Sequence, residues 1–439
     1  MQNGCVKKMQ GSTSDRISYL PSNVIEKILT CMPIDDSVRT SVLSKKWRYT
    51  WVTLPELVFD DAFYRKLRIT STNELLLIIY QVLLLHRGPI LKFKLHLSEW
   101  NRICAIDRLI NFVSNNGVQD FILHIFRYVH YELPSSVFSC LQLEHLELHL
   151  CSFVPPPGFK GFSKLLSLEL HDVIINSGVL SGLISNCPLL KELNLVRPGS
   201  FCDPDSFGYL EITAPNLRCL YCEGDFSDIC LKNSPNLARV SLDLHHSMYQ
   251  EVWVTLAGLP AIEFLELKFF RLKLIPQIGV PGRLPTDLSH LKVLKLDGIK
   301  PVSSFLRLIR SSPNLEKLII WVNNDMVLSH VGPILEDFEE QGFLDISLNR
   351  LREVDLRICC KRGFQLEFVK FLLTTSPALE KMVIEPIHAM DHERMMFWKA
   401  VTQFRRLSPL AEVFFEFQDD DDDDDDDLDY DYDMHFLPN

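Results

Sequence analysis

The chain has 439 residues, 47% of them hydrophobic and 23% charged, with a formal net charge of −12. That composition supports a buried core and excludes collagen-like, fully disordered and disulfide-stapled classes; the twelve cysteines are too sparse for a disulfide scaffold and read as small hydrophobes of a reducing compartment. The charge is local: residues 419–433 hold twelve Asp, and without them 45 acidic residues balance 45 basic ones, so the body has no basic excess of the kind that binding a phosphate backbone requires.

In chain order, residues 1–14 are polar and expected to form a flexible leader, with no apolar run of signal-peptide type. After Pro21, Ser22 is expected to cap a helix in which Val24, Ile25, Ile28, Leu29 and Met32 follow helical spacing until Pro33 stops it. Asp35 is expected to cap a second helix carrying Val38 and Val42, and Ser44 a third that sets Trp47 and Trp51 four residues apart. Three such short helices bury little by themselves, so the module should share its core with a neighbour. Longer helices are expected over Thr72 to His86 and over Ala105 to Val113. The stretch Leu75 to Leu85 is about half of the ~20 residues a membrane span needs, which points to a chain without a membrane anchor, in the cytoplasm and/or nucleus.

Beyond these helices the chain is periodic. The frame L-x-x-L-x-L, with conservative swaps, recurs at Leu143-Leu146-Leu148, Leu165-Leu168-Leu170, Leu190-Leu193-Leu195, Leu217-Leu220-Cys222, Leu237-Val240-Leu242, Ile262-Leu265-Leu267, Leu291-Leu294-Leu296, Leu315-Leu318-Ile320, Leu351-Val354-Leu356 and Leu379-Met382-Ile384. Ile90-Phe93-Leu95 and Val118-Phe121-Leu123 are two weaker frames. The spacing is mostly within the roughly 20 to 29 residues of leucine-rich repeats. The last two apolar positions of each frame should point inward from a short strand, the strands should stack in parallel, and helices or loops should form the outer layer. Cys187-Pro188, Ala214-Pro215, Ser234-Pro235, Ser312-Pro313 and Ser376-Pro377 each precede a frame, where proline is expected to end a helix. The 36-residue gap after Leu315 contains an insertion, residues 323–337, and the Asp run beyond Gln418 cannot fold by itself because like charges repel. The expected class is α/β: a three-helix module, then a solenoid with parallel strands on its concave face.

Between the inward residues lie outward strand positions, among them Glu147, His149, Glu169, His171, Tyr221, His245, Lys268, Lys295, Asp297, Trp321 and Asp355. Trp321 stands out, because with Ile319 it puts two large apolar groups on a face that should be wet. It is expected either to anchor a bound protein or to pack beneath the 323–337 insertion. We take Tyr221, His245, Lys268, Lys295, Asp297, Trp321 and Asp355 as the candidate target-binding set. Cys219 and Cys222 form a C-x-x-C, but the register sends them to opposite faces, so they cannot converge on one ion. There is no H-E-x-x-H, no Walker loop and no G-x-S-x-G elbow, so no metal, cofactor or catalytic residue is expected and the chain does not read as an enzyme.

The segment Asp15 to Asp61 resembles the F-box in its plant form, through the Leu20-Pro21 pair, the run Val38 to Arg48 (VRTSVLSKKWR) and the second tryptophan, Trp51. A DNA-reading helix-turn-helix is the rival, but residues 15–52 carry six basic and four acidic groups, which is weak for that task. Val82 to Leu97, Cys151 to Phe162 and Gly342 to Phe417 extend the resemblance to F-box proteins with leucine-rich repeats and a C-terminal FBD domain. The implied organisation is a leader at 1–14, an F-box at 15–61, a leucine-rich-repeat solenoid at 72–341, an FBD domain at 342–417 and a disordered acidic tail at 418–439. The resemblance implies a substrate receptor of a Skp-cullin-F-box ubiquitin ligase: the F-box binds a Skp-type adaptor, which brings cullin and RING subunits, while the repeats hold a protein target. Leu20, Pro21, Ile25, Ile28, Leu29, Val38, Val42, Trp47 and Trp51 would meet the adaptor or support that surface. The alternatives are a receptor whose solenoid binds a small molecule, and an adaptor-binding assembly factor without a role in degradation.

Overall fold

The computed structural model describes residues 17, 19–67, 71–97, 103–125, 130–199, 209–226, 228–244, 252–255, 261–269, 272–274, 288–297, 308–321, 347–359, 363–387 and 390–416. Two compact units divide the chain, Met1–Ile278 and Gly279–Asn439. Their boundary falls inside the stretch 72–341 that the repeats suggested as one solenoid.

Unit one opens with helices α1 (Ser22–Thr30) and α2 (Ile34–Arg39). The expected caps are corrected: Pro21 and Pro33 occupy the cap positions, with extended ψ values of 148° and 149°, and Ser22 opens α1 itself. Proline has no N–H to satisfy and a fixed φ, so it starts a helix at no hydrogen-bonding cost. Asp35 is thereby released from capping; it lies within α2, buried, with its carboxylate 2.9 Å from Lys66 Nζ. The expected third helix does not form. Residues 45–49 are turns, and only Thr50–Thr53 close a 3₁₀ turn. Trp47 and Trp51 are nevertheless buried; Trp47 Nε1 donates to the Ile17 carbonyl at 3.2 Å, and Lys46 Nζ donates to the Leu20 carbonyl. These long-range anchors hold the segment where one helical turn would not stand alone.

Strand β1 (Glu56–Phe59) comes next, then helices α3 (Asp61–Leu67), α4 (Thr72–Leu85) and, after β2 (Lys92–Leu97), α5 (Ile103–Ser114). β3 (Asp120–Ile125), β5 (His145–His149), β7 (Ser167–His171), β8 (Glu192–Val196), β10 (Cys219–Gly224), β12 (Arg239–Leu244) and β14 (Phe264–Phe269) continue the series. From β1 to β14 these strands pair in parallel, each with the next. Their inward residues are the frames. All ten frames and both weaker ones are buried, and Leu54, Leu57 and Phe59 make one more, so the sheet begins inside the segment that resembles the F-box. Phe59, Phe93 and Phe121 occupy equivalent inward sites on successive strands, with ring centroids 6.2 and 6.0 Å apart.

The chain leaves successive strands by the same turn. Leu150, Asp172 and Arg197 follow β5, β7 and β8 with φ of 54°, 50° and 44°. Each donates its N–H to the next repeat: to His171 O at 3.0 Å, Val196 O at 2.8 Å and Glu223 O at 2.7 Å. The prolines before the frames mark a second repeated contact, because Asn216 Nδ2 donates to Pro188 O at 2.8 Å and Asn236 Nδ2 to Pro215 O at 2.9 Å. Pro188 does follow a helix, α6 (Ser177–Ser185), but Pro215 and Pro235 follow strands β9 (Tyr209–Thr213) and β11 (Asp228–Lys232). With β13 (Val252–Thr255) and β15 (Leu272–Leu274) these form a second parallel sheet, so the outer layer of this stretch is strand where helix or loop was expected. Two short strands, β4 (Tyr131–Glu132) and β6 (Cys151–Ser152), pair similarly.

Unit two carries β16 (Val293–Asp297), β17 (Lys317–Trp321), β18 (Glu353–Cys359), β19 (Lys381–Ile387) and β20 (Glu412–Phe415), again parallel and in chain order. Helices α7 (Gly363–Thr375) and α8 (Asp391–Thr402) connect the last three strands. The segment that resembles an FBD domain thus holds two further strand-helix repeats and a closing strand, β20, built onto β17. Among the described residues, no helix is long and apolar enough to cross a membrane.

Candidate functional site

Two surfaces hold the candidate residues. On the N-terminal module, Ile25, Leu29, Trp47 and Trp51 are core, Leu20 and Val38 are half-buried, and Pro21, Ile28 and Val42 are exposed. α1 is amphipathic in an unusual sense. Its Ile25-Leu29 stripe faces the module's own core, whereas the adjoining Val24-Ile28 stripe faces solvent. Val42 is 87% exposed and Tyr19 83%, and Leu43 and Tyr49 are exposed as well. They stay at the surface while Ile25, Leu29, Ile34, Trp47, Trp51, Val52 and Leu54 make up the buried interior of the module. The sequence reading missed Tyr19, Leu43 and Tyr49; the available signal was that a module of about forty residues holds more large apolar groups than it can bury. Behind this surface, Lys66 Nζ reaches both Asp35 and Asp36, and those two hydrogen bonds raise its pKa.

The second surface is the outward face of the strands. In unit one, Tyr221 Oη donates to Glu223 Oε2 at 2.9 Å, and Lys268 Nζ lies 3.2 Å from Asp243 Oδ2. Arg197 completes the network: its Nε and Nη2 grip Asp172 at 2.8 and 2.9 Å, and its Nη1 donates to Glu223 Oε1 at 2.9 Å. Burial, then the Glu223 charge, push the Tyr221 phenol well above its ordinary pKa, so it stays a neutral donor. His245 lies outside the described residues. In unit two, Lys295, Asp297, Trp321 and Asp355 come together on β16, β17 and β18, where Asp297, Trp321 and Arg357 share one row and Lys295, Ile319 and Asp355 the next. Lys295 Nζ stands 4.3 Å from the Trp321 ring centroid and Arg357 Cζ 6.0 Å from it. The 323–337 insertion lies outside the described residues. Asp355 has a raised pKa because it is partly buried. Of the predicted target set, the four around Trp321 form one group in unit two, whereas in unit one Tyr221 on β10 and Lys268 on β14 stand two strands apart, each on its own carboxylate. Cys222 is buried while Cys219, on the other face of the strand, is half-exposed.

The sequence reading also missed His96 and His124, which lie in the two weaker frames and fall in register with His149 and His171.

Comparison with known families matches residues 17–59 to the F-box domain and residues 106–320 to the leucine-rich repeats described for the FBD-associated F-box protein At5g56370. Similar proteins include the F-box/FBD/LRR-repeat protein At1g13570 of Arabidopsis thaliana, 37% identical over 431 residues that cover 92% of this chain and 99% of that one. The F-box/FBD/LRR-repeat protein At3g26920 of the same plant is 25% identical over 416 residues, covering 88% and 92%. The FBD-associated F-box protein At5g56370, also from Arabidopsis thaliana, is 31% identical over 236 residues, covering 52% and 54%.

Proposed function

This chain belongs to the F-box/FBD/LRR-repeat family, and from that membership we propose that it is the substrate-recognition subunit of a Skp-cullin-F-box ubiquitin ligase, itself without catalytic groups. The N-terminal module docks on a Skp-type adaptor, which brings cullin and RING subunits, and the outward strand faces hold a protein target. The chemistry is proximity: target lysines gain a high effective concentration near a ubiquitin thioester that this chain does not touch. Its site of action in this reading is the cytoplasm or nucleus.

One observation carries the adaptor contact. Tyr19, Val24, Ile28, Val42, Leu43 and Tyr49 are all exposed on the N-terminal module. Water-exposed apolar groups concentrated in so short a segment call for a partner surface. The test is co-purification of the Skp-type adaptor with the full chain and with Val42→Asp/Leu43→Asp. The variant should lose the adaptor and keep its melting temperature, because neither side chain is buried; undiminished recovery would remove the reading. Recovery of adaptor without target turnover would make the chain an assembly factor, and target capture that requires an added small molecule would make it a ligand-dependent receptor.

A further inference from the structure

Four neighbouring strands each carry a histidine at one register: His96 on β2 pairs with His124 on β3, His124 with His149 on β5, and His149 with His171 on β7. Parallel strands in register lie about 4.8 Å apart, so identical outward side chains stack. The ring centroids are 4.7, 3.8 and 4.1 Å apart along the row. Glu147 stands two residues before His149 and so on the same face of β5; its Oε1 is 2.6 Å from His124 Nε2 and 3.3 Å from His149 Nε2. Donor atoms of His124, Glu147 and His149 all lie within 4.8 Å of one another.

We infer that His124, Glu147 and His149 form a binding site for one divalent transition-metal ion, zinc first among them. Two ligands at i and i+2 of one strand and a third directly across on the next strand converge above the sheet without any backbone change. Around a tetrahedral ion with bonds of roughly 2.0–2.1 Å, ligand atoms are about 3.3 Å apart, close to the spacing already present between Glu147 and His149. Two imidazoles and one carboxylate suit zinc, copper or nickel, whereas calcium and magnesium need an all-oxygen shell. Before the ion binds, Glu147 Oε1 accepts a hydrogen bond from His124 Nε2; on binding, that proton moves to Nδ1, and both rings tilt out of their stack so that their Nε2 lone pairs meet at one point. His96, held by Asp61 at 3.0 Å, and His171 wall the site at either end, and a solvent molecule takes the fourth position.

The test uses the full chain, stripped with chelator and dialysed against zinc chloride, with bound metal measured directly and cobalt chloride as a coloured substitute. The native chain should gain one zinc that His124→Gln/His149→Gln does not bind, whereas the control His290→Gln, altered on the exposed residue His290, should bind as the native chain does. Glu147→Gln preserves size and hydrogen bonding, and should weaken zinc at least tenfold while leaving the circular dichroism spectrum of the chain unchanged; this variant decides the matter if the double variant does not fold. Zinc should also raise the melting temperature of the native chain by more than that of Glu147→Gln at the same zinc concentration. Equal zinc content and affinity in the native chain and Glu147→Gln, or no zinc retained by the native chain, would overturn the site and leave the row as a hydrogen-bonded stack.

Discussion

Trp321 shows how a single residue can belong to two systems at once. Its ring is flanked from β16 by Lys295 and from β18 by Arg357, and Arg357 is held in turn by Glu385 at 3.1 Å. Cation–π contacts of this half-exposed kind contribute about 0.5–1 kcal/mol each, too little to make Trp321 a structural keystone. A half-buried tryptophan at an outward register position, contacted by cations from two neighbouring strands, is the composition of an interface anchor. Trp321→Ala should therefore cost roughly 2 kcal/mol of target affinity, about thirtyfold, while the melting temperature falls by only a few degrees. If titration calorimetry shows unchanged affinity and the melting point drops sharply, the residue serves folding alone. The tryptophan was visible in the sequence as an apolar residue at an outward register position. Its cations were not, because Arg357 and Lys295 are 36 and 26 residues away from it and only the strand pairing brings them across. Asp35 differs from its expected role for the opposite reason: an acidic residue two positions after a proline looks like a cap, and only the fold reveals Lys66 opposite it.

At the scale of elements, the ten frames and the two weaker ones were legible because a parallel strand in a repeat has a strict two-residue period, and every inward position had to be apolar; Leu54-Leu57-Phe59 was passed over because it lies inside the segment read as the F-box. The outer layer was less so. Tyr209–Thr213 reads Y-L-E-I-T and Val252–Thr255 reads V-W-V-T, both strand-like alternations, but a template that assigns everything between frames to helix or loop passes over them. The asparagines were also overlooked, since their partners are the carbonyls of the preceding repeat. In Pro-Asn-Leu at 215–217, 235–237 and 313–315 the asparagine amide crosses to the repeat before it, the third time from Asn314 Nδ2 to Ser289 O at 2.6 Å. Such a bond contributes about 1 kcal/mol net. Asn236→Ala should lower the unfolding free energy by that amount, and Asn216→Ala/Asn236→Ala by about twice it, because the two bonds join different pairs of repeats. A change below ~0.3 kcal/mol in urea unfolding would show that the asparagines only follow the turn and do not join the repeats.

At the scale of the whole molecule, division of labour is the property to test. The residues proposed to face the adaptor lie before the first strand, and the Trp321 group lies in unit two; each surface is built from its own residues and neither uses the other's. Solenoid stability is largely a sum of neighbouring contacts, so a surface change in one place should leave distant repeats folded. Val42→Asp/Leu43→Asp should therefore behave as a trap: with proteasome and cullin activity blocked, it should recover no adaptor or cullin from cells yet enrich the same target proteins as the native chain. Trp321→Ala should do the reverse, retaining adaptor and cullin while losing those targets. If turnover requires target and adaptor on one chain, as proposed, either variant alone should slow ubiquitination of the target to the background rate, and mixing the two should not restore it. If the mixture restores ubiquitination, two chains share one ligase and each supplies the surface the other lacks. If Val42→Asp/Leu43→Asp loses adaptor and targets together while its melting temperature is unchanged, target capture depends on the adaptor and the division of labour fails.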